Sequence, residues 1–454
     1  MNSKISAEFS ARKENFSSFD LGVNLCSLTS QPDRYRHWSG AGNTAHRISR
    51  GAGLSYAAAS FGSGSTSFSH DRFDRILDFD QATGEVEVET GIRLFSLHNF
   101  LEPRGYFLPV QPGHGQISVG GCIAADVHGK NQFKDGTFIE QVISLTLFHP
   151  DYGIIETSPT QNSELFHLTC GGYGLTGHIL SVRLRTQERP PFDIITRLKA
   201  FSEINAGVEL LFESADKIDF LHSWHDFSKK KTLGSGIIFM SSFSKSKENF
   251  KEPRKFHPII PKQIGTKHRI PYARFLLNQY SLMGLNTLYK QTAYSYLDNK
   301  PTSLFNALFP IHSLQSYYSF LGNKGFHEYQ VLLPRNLTAE FLSELGDIAK
   351  SLKIPITLAS AKVFRGEGDL LRFTGDGVCF AVNFQRSIRA VELLKWLDEK
   401  IIVIKGKPNI IKDSRLPRRV VEACYPEVDK FRIQLKNFDP KRLFRSELSE
   451  RLGL

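Results

Sequence analysis

Three glycine-dense loops within one 190-residue region constrain this chain more than any other feature. The first reads Arg50-Gly51-Ala52-Gly53-Leu54-Ser55-Tyr56. The second runs from Pro112 to Asn131, with five glycines in the seventeen positions Gly113 to Gly129, and closes on His128-Gly129-Lys130-Asn131. The third is Gly171-Gly172-Tyr173-Gly174-Leu175-Thr176-Gly177. Closely spaced glycines let backbone N–H groups converge on an anion, because no side chain blocks the approach. Alone, the first loop reads as a surface turn. It lacks the full G-x-G-x-x-G and no helix pattern opens after it, so it fails the test for a Rossmann site. Three such loops together, with Gly120-Gly121 before the apolar run Cys122-Ile123-Ala124-Ala125, suit the bed of a flat, bulky ligand.

The pattern around the loops is β-rich to about residue 188. Ile76–Asp80 and Glu85–Thr90 predict a hairpin around Thr83-Gly84, with Val86 and Val88 on one face and glutamates on the other. Ile92–Leu101 predicts a short helix, and strands follow at 105–109, 142–148 and 153–157. Glu188-Arg189-Pro190-Pro191 reads as a linker. Beyond it, helical patterns at 202–215 and 338–352 alternate with strand patterns at 234–243, 329–333, 356–364 and 378–384. The expected class is α+β with two domains, the second a sheet backed by helices. The charged tail, 425–454, reads as helical, with Asp439-Pro440 as a helix start.

At 454 residues the chain exceeds one ordinary core. A formal charge of +11 suits an anionic partner: nucleic acid, an acidic membrane surface or a phosphorylated substrate. A generally basic surface gives the same number. The densest basic run is Lys229-Lys230-Lys231, with no basic-plus-aromatic cadence, so nucleic acid is the least attractive of the three. Five scattered cysteines, at 26, 122, 170, 379 and 424, argue against a disulfide framework or a zinc site, and no metal is expected. Met1–Asn15 is polar, unlike a signal peptide, and no apolar stretch is long enough to span a bilayer. The expected location is cytoplasmic, with peripheral contact at the cytoplasmic membrane left open.

The loop set resembles the FAD-binding domain of the vanillyl-alcohol-oxidase family, also called the PCMH type. Within it the likeness is to the decaprenylphosphoryl-ribose oxidases, which supply the flavin half of an epimerase. The residues that carry it are R-G-A-G-L-S-Y at 50–56, V-G-G-C-I-A-A-D-V-H-G-K-N at 119–131, E-L-F at 164–166 and G-G-Y-G-L-T-G at 171–177. Y-Q at 329–330, K-D-S-R at 412–415, and Y-P-x-V-D with D-P-x-x-x-F at 425–444 follow in the family's order.

The resemblance implies an FAD domain over 1–188, a substrate domain over 189–406 and a C-terminal segment, 407–454, returning to the FAD domain. The first loop, Gly51, Ala52, Gly53, Leu54, Ser55 and Tyr56, would line the pyrophosphate. Pro112, Gly113, Val119, Gly120, Gly121, Cys122, Ala125, Asp126, His128, Gly129 and Asn131 would support the pyrophosphate and ring. Gly172, Gly174, Thr176, Gly177 and Ile179 would lie along the ribityl and adenine side. Many relatives carry a His between Gly and Ser in the first loop that bonds to the flavin; here that residue is Leu54, so non-covalent FAD is expected. His114 is the only conceivable substitute.

By the same resemblance Lys412 reaches the flavin face and the substrate hydroxyl, as base or as orienting cation. His128 and Lys130 approach from the opposite wall, and Tyr56, Gln330 and Lys362 complete a polar pocket. Lys362 also admits a plainer reading, a strand lysine turned to water. The implied reaction oxidises a ring hydroxyl of a polyprenyl-phosphate pentose, completed by a separate NAD(P)H-dependent short-chain reductase. Soluble sugars, alditols or aldonolactones are the alternative, although lactone oxidases read H-G-T where this chain has H-G-K-N. A protein that keeps the flavin fold as a scaffold is the third reading, and retention of Lys130 and Lys412 speaks against it. The branch's Trp-Asn-x-Cys is here Val378-Cys379-Phe380-Ala381, and its aromatic-Pro-Leu-Asp is Phe309-Pro310-Ile311-His312. The stretch 245–290 matches poorly, so the identity of the sugar and lipid does not follow.

Overall fold

The computed structural model describes residues 11–39, 46–229, 233–245, 277–310 and 315–454. Met1–Ser10, Lys230 and Lys231, most of the poorly matching 245–290 stretch, and Ile311-His312 lie outside the described residues.

Two sheets build the N-terminal part. A four-stranded sheet orders Arg12–Ser17, Asn24–Ser30, Ser65–Ser69 and His46–Arg50, its last two pairings parallel. A five-stranded antiparallel sheet orders Ile76–Asp80, Glu85–Glu89, His178–Arg185, Val142–His149 and Gly153–Thr157. The predicted hairpin forms, and Val86 and Val88 are fully buried as the alternation required. The helix Leu94–Leu101 buries Leu94, Leu97 and Leu101 on one stripe against this sheet's core.

After a two-strand patch joining Gln187–Glu188 to Tyr106–Phe107, the chain enters an eight-stranded sheet. Its central strands are Phe220–Asp226, Ile356–Phe364, Gly377–Gln385 and Phe326–Leu333, in that spatial order and all antiparallel. One face is apolar: Leu221, Ala359, Ala361, Val363, Val378, Phe380, Val382, Tyr329, Val331 and Leu333 are buried. Helices Ile204–Ala215, Arg335–Ser351 and Ile388–Val403 cover it with Leu211, Leu342, Leu345, Leu393 and Leu397, each fully buried. Burying one such side chain is worth ~2 kcal/mol. Strand period two then sends the alternate residues, Lys362, Gln330 and Glu328 among them, to the opposite face.

The C-terminal segment links both parts. Lys407–Pro408 pairs with Phe326–Leu333 at the sheet edge, whereas Arg47 bridges Phe444 and Glu447 N–H donates to the Phe61 carbonyl. Asp439-Pro440 ends a helix instead of starting one: Val428–Phe438 stops there, and Asp439 accepts from the Phe444 amide. Pro440 has no N–H to continue the ladder, and the next helix, Glu447–Leu452, starts at Ser446 with a capping box.

Candidate active site

The alternation that buries Tyr329 and Val331 turns Glu328 and Gln330 to the other face. The register sets Lys362 opposite Cys379, Gln330 opposite Ala381 and Glu328 opposite Asn383. Ser223 lies opposite Ala361, which puts His222 opposite Lys362 on the next strand. A polar patch, staggered between neighbouring rows, thus spreads over four strands and faces the second glycine loop and the start of the C-terminal segment.

Lys412 ends a short 3-10 turn, Ile410–Lys412, whose N-cap Asn409 accepts from the Ile411 amide. Its ammonium pairs with Glu328 at 3.1 Å and lies 4.3 Å from the centre of the Tyr56 ring. Tyr56 is buried, stacks on Phe19 at 5.2 Å and meets the Tyr318 hydroxyl at 3.3 Å. Burial, with the nearby Glu328 carboxylate, holds its phenol well above the usual range.

Asn409 also orders His128. Its side-chain amide donates to Gln330 Oε1 at 2.7 Å, so the Gln330 Nε2 group is the donor that faces His128 Nε2 at 3.4 Å. The other ring nitrogen, Nδ1, faces the Gly129 carbonyl at 3.4 Å. That network assigns the proton to Nδ1 and leaves the Nε2 lone pair toward the polar patch. Burial, then the Lys362 charge, pushes the His128 imidazolium well below its ordinary pKa. Lys130 Nζ donates to the Ala307 carbonyl at 2.8 Å. Lys130 and Lys362 keep part of their surface but are packed round by protein atoms. That burial, with Lys362 nearby, brings Lys130 down to about 7, and burial also lowers Lys362.

The structure therefore brings together Lys412, His128, Lys130, Tyr56, Gln330 and Lys362. It adds Glu328, Asn409, Asn383 and His222. Glu328 was within reach, one pleat from Gln330. His222 depended on a strand pairing that no local pattern announces.

The loops divide by what they do. Gly51 to Ser55 are all half-buried, and among the described residues nothing accepts a hydrogen bond from their backbone N–H groups. A Cβ on Gly51 would lie 2.0 Å from the Ser118 hydroxyl, so the first loop sits against the start of helix Val119–Ala124. Gly53 has φ +68°, which a glycine adopts freely. This open row of amides suits a pyrophosphate. Pro112, Gly113, Gly120, Gly121 and Ala125 are likewise half-buried beside it, whereas Val119 and Cys122 are buried helix residues that pack.

Asp126 and Asn131, expected on the cofactor, spend their side chains on the scaffold. Asp126 accepts from Arg372 Nε and Thr137 Oγ1, both at 2.7 Å, and from the Ile139 amide. Asn131 donates to the Pro109 carbonyl and to Asp135. Gly129 sits 2.3 Å, as a Cβ, from the Asn131 amide oxygen, a packing glycine. In the third loop Gly172, Gly174, Thr176, Gly177 and Ile179 are enclosed by the chain; a Cβ on Gly172 would meet the Leu168 carbonyl at 2.0 Å. His114 is buried and its Nδ1 accepts from the Gln116 amide, while Leu54 stays half-exposed. All five cysteines are free. Among the described residues no group of three or more metal-ligating side chains forms, and no helix is long and apolar enough to cross a membrane.

Comparison with known proteins agrees with this geometry. Residues 42–158 match the model of an FAD binding domain. Decaprenylphosphoryl-beta-D-ribose oxidase of Mycolicibacterium smegmatis is 27% identical over 90% of this chain and 89% of its own. L-gulonolactone oxidase of Mus musculus is 24% identical over 84% of each chain. A mitochondrial cytochrome-dependent D-lactate dehydrogenase of Saccharomyces cerevisiae is 26% identical over 27% of this chain and 22% of its own. The chain is an α+β flavoprotein with an FAD binding domain, an FAD-dependent oxidoreductase similar to enzymes named as oxidases of a polyprenyl-linked ribose and of a sugar lactone.

Proposed function

We propose that the protein oxidises a ring hydroxyl of a polyprenyl-phosphate-linked pentose to the keto sugar, the first half of an epimerisation. The observation that carries the reading is the one polar cluster in which Gln330 and Lys362 of the sheet meet Lys412, His128 and Lys130 of the facing segments. Cations in excess of carboxylates suit an anionic substrate, and the likeness to the mycobacterial oxidase extends over nearly the whole chain.

Bound FAD supplies the hydride acceptor for the carbon that bears the hydroxyl. The first-loop amides and the half-buried glycines of the second loop hold it without a covalent bond, since Leu54 offers no nucleophile. Lys412, fixed between Glu328 and the Tyr56 ring, orients the hydroxyl as a cation. The substrate hydroxyl replaces the long Gln330 contact at His128 Nε2 and gives its proton to that lone pair, on a ring whose Nδ1 proton faces the Gly129 carbonyl. Such positioned proton acceptors contribute ~10²–10⁴-fold. The keto product then needs a reductive partner, for which an NAD(P)H-dependent short-chain reductase serves. The substrate's lipid brings the enzyme to the cytoplasmic membrane surface from the cytoplasmic side.

Aldonolactones are the second reading, favoured by the likeness to the mouse enzyme over 84% of each chain. Anaerobic addition of farnesylphosphoryl-ribose, in parallel with gulonolactone, separates the two. The proposal expects the phosphoryl sugar to bleach the flavin and Lys412→Ala to slow bleaching by about a hundredfold or more. Bleaching by the lactone alone overturns it.

A further inference from the structure

Lys130, Lys362 and His222 converge from three segments. The Leu221 amide donates to the Lys130 carbonyl at 3.0 Å, joining the second glycine loop to the strand that carries His222. His222 faces Lys362 across the next strand and lies flat on the Phe239 ring at 4.6 Å, which fixes the imidazole. The only protein contact of the Lys130 ammonium in the hydrogen-bond network of the described residues is the neutral Ala307 carbonyl. The Lys362 ammonium and the His222 ring make no hydrogen bond or ion pair with any described residue. Glu328, among the described residues the one carboxylate in electrostatic reach of Lys362, is taken by Lys412. Cations crowded out of water without a counter-charge are costly, and the protein keeps them where a ligand supplies the charge.

We infer that Lys130, Lys362 and His222 form a phosphate subsite, separate from the hydroxyl-oxidising groups Lys412 and His128. It rests on the proposed reaction for its substrate, a glycosyl phosphate, and names the part of that substrate each group takes. Strands lie ~4.8 Å apart, so His222 stands three spacings, ~14 Å, from the strand of Gln330 and Glu328. Lys130 is two residues beyond His128, at most ~7 Å along the chain. A sugar ring held at His128 and Lys412 thus projects its anomeric phosphate toward Lys130 and Lys362. His222, kept neutral at ordinary pH by burial and by the two lysines, offers an N–H donor. The arriving anion favours the charged form of Lys130, which otherwise sits near half-protonation at neutral pH.

The test is isothermal titration calorimetry on the FAD-loaded protein with farnesyl phosphate, inorganic phosphate and farnesol. Repeating it in two buffers of different ionisation heat measures proton uptake. Expected are at least tenfold weaker farnesyl phosphate binding in Lys362→Met and in His222→Leu, and recovery in Lys362→Arg. Uptake of up to about one proton per site above pH 7 should disappear in Lys130→Met. Inorganic phosphate binding as tightly as farnesyl phosphate assigns the site to free phosphate; preference for the prenyl ester assigns it to a lipid headgroup. Unchanged affinity in both His222→Leu and Lys362→Met, or equal binding of farnesol, overturns the subsite. Loss of phosphate binding in the variants, with no bleaching by farnesylphosphoryl-ribose, would instead retain the subsite and remove the proposed reaction.

Discussion

The ammonium of Lys412 stands 4.3 Å from the centre of the Tyr56 ring, so the C-terminal segment closes directly over the first glycine loop. A cation over an aromatic face gains ~1 kcal/mol. Glu328, from the sheet, completes the grip at 3.1 Å. Three remote stretches of chain therefore meet at one ammonium, and its removal has separable consequences.

In Lys412→Met, Glu328 is left as a largely buried carboxylate without its partner, at a cost of ~1–3 kcal/mol. Turnover falls as well. The double variant Lys412→Met with Glu328→Gln should recover thermal stability and leave turnover low. Recovery of both would show that Lys412 acts only on the fold.

Arg372 ties a loop of the eight-stranded sheet to the second glycine loop through Asp126, whose side chain is fully buried. Arg372→Met should cost ~3 kcal/mol or more, because it strands that carboxylate. Denaturant unfolding of the FAD-loaded protein measures it. A change below ~1 kcal/mol would contradict the assignment of Asp126 to the scaffold.

Gly51→Ala puts a methyl 2.0 Å from the Ser118 hydroxyl, which caps helix Val119–Ala124 through the Gly121 amide. Moving that hydroxyl forfeits the cap, ~1 kcal/mol, and disturbs the open amides beside it. FAD affinity should fall at least tenfold in equilibrium dialysis. Unchanged affinity would place the pyrophosphate elsewhere.

The motifs made the first loop, the second loop and the pair Lys412 and Lys130 legible, because each is a contiguous string. Period-two strands were equally plain, with Ile356–Phe364 found to the residue. The residues whose side chains turn to the scaffold share one cause. Asp126 and Asn131 lie inside a matching string, and a string does not say which way a side chain turns. His222 and Asn409 belong to no string; their roles arise from strand register and from a hydrogen bond to Gln330. Asp439-Pro440 carried a start signal, but Asp439 is used as a helix stop that receives the returning Phe444 amide.

Acid should destabilise the protein through buried imidazoles. Burial holds His70 and His225 down to about 4. Between an unfolded value near 6.5 and about 4 the unfolded chain binds more protons, so stability is lost as pH falls through that window. Each contributes roughly 3 kcal/mol over the full interval. His225 bonds Ser223 and the Gly234 carbonyl, so His225→Gln can keep a polar contact without titrating. Its Tm should depend less steeply on pH between 6.5 and 4 than the parent's; an identical slope would contradict the account.

The most direct measurement is the visible absorbance of the purified protein before and after acid precipitation. A yellow protein that releases all its colour to the supernatant is the predicted result, with FAD held by open backbone amides and no bond at Leu54. Colour kept in the pellet would contradict the non-covalent assignment. A colourless protein that takes up no added FAD would contradict the flavoprotein itself.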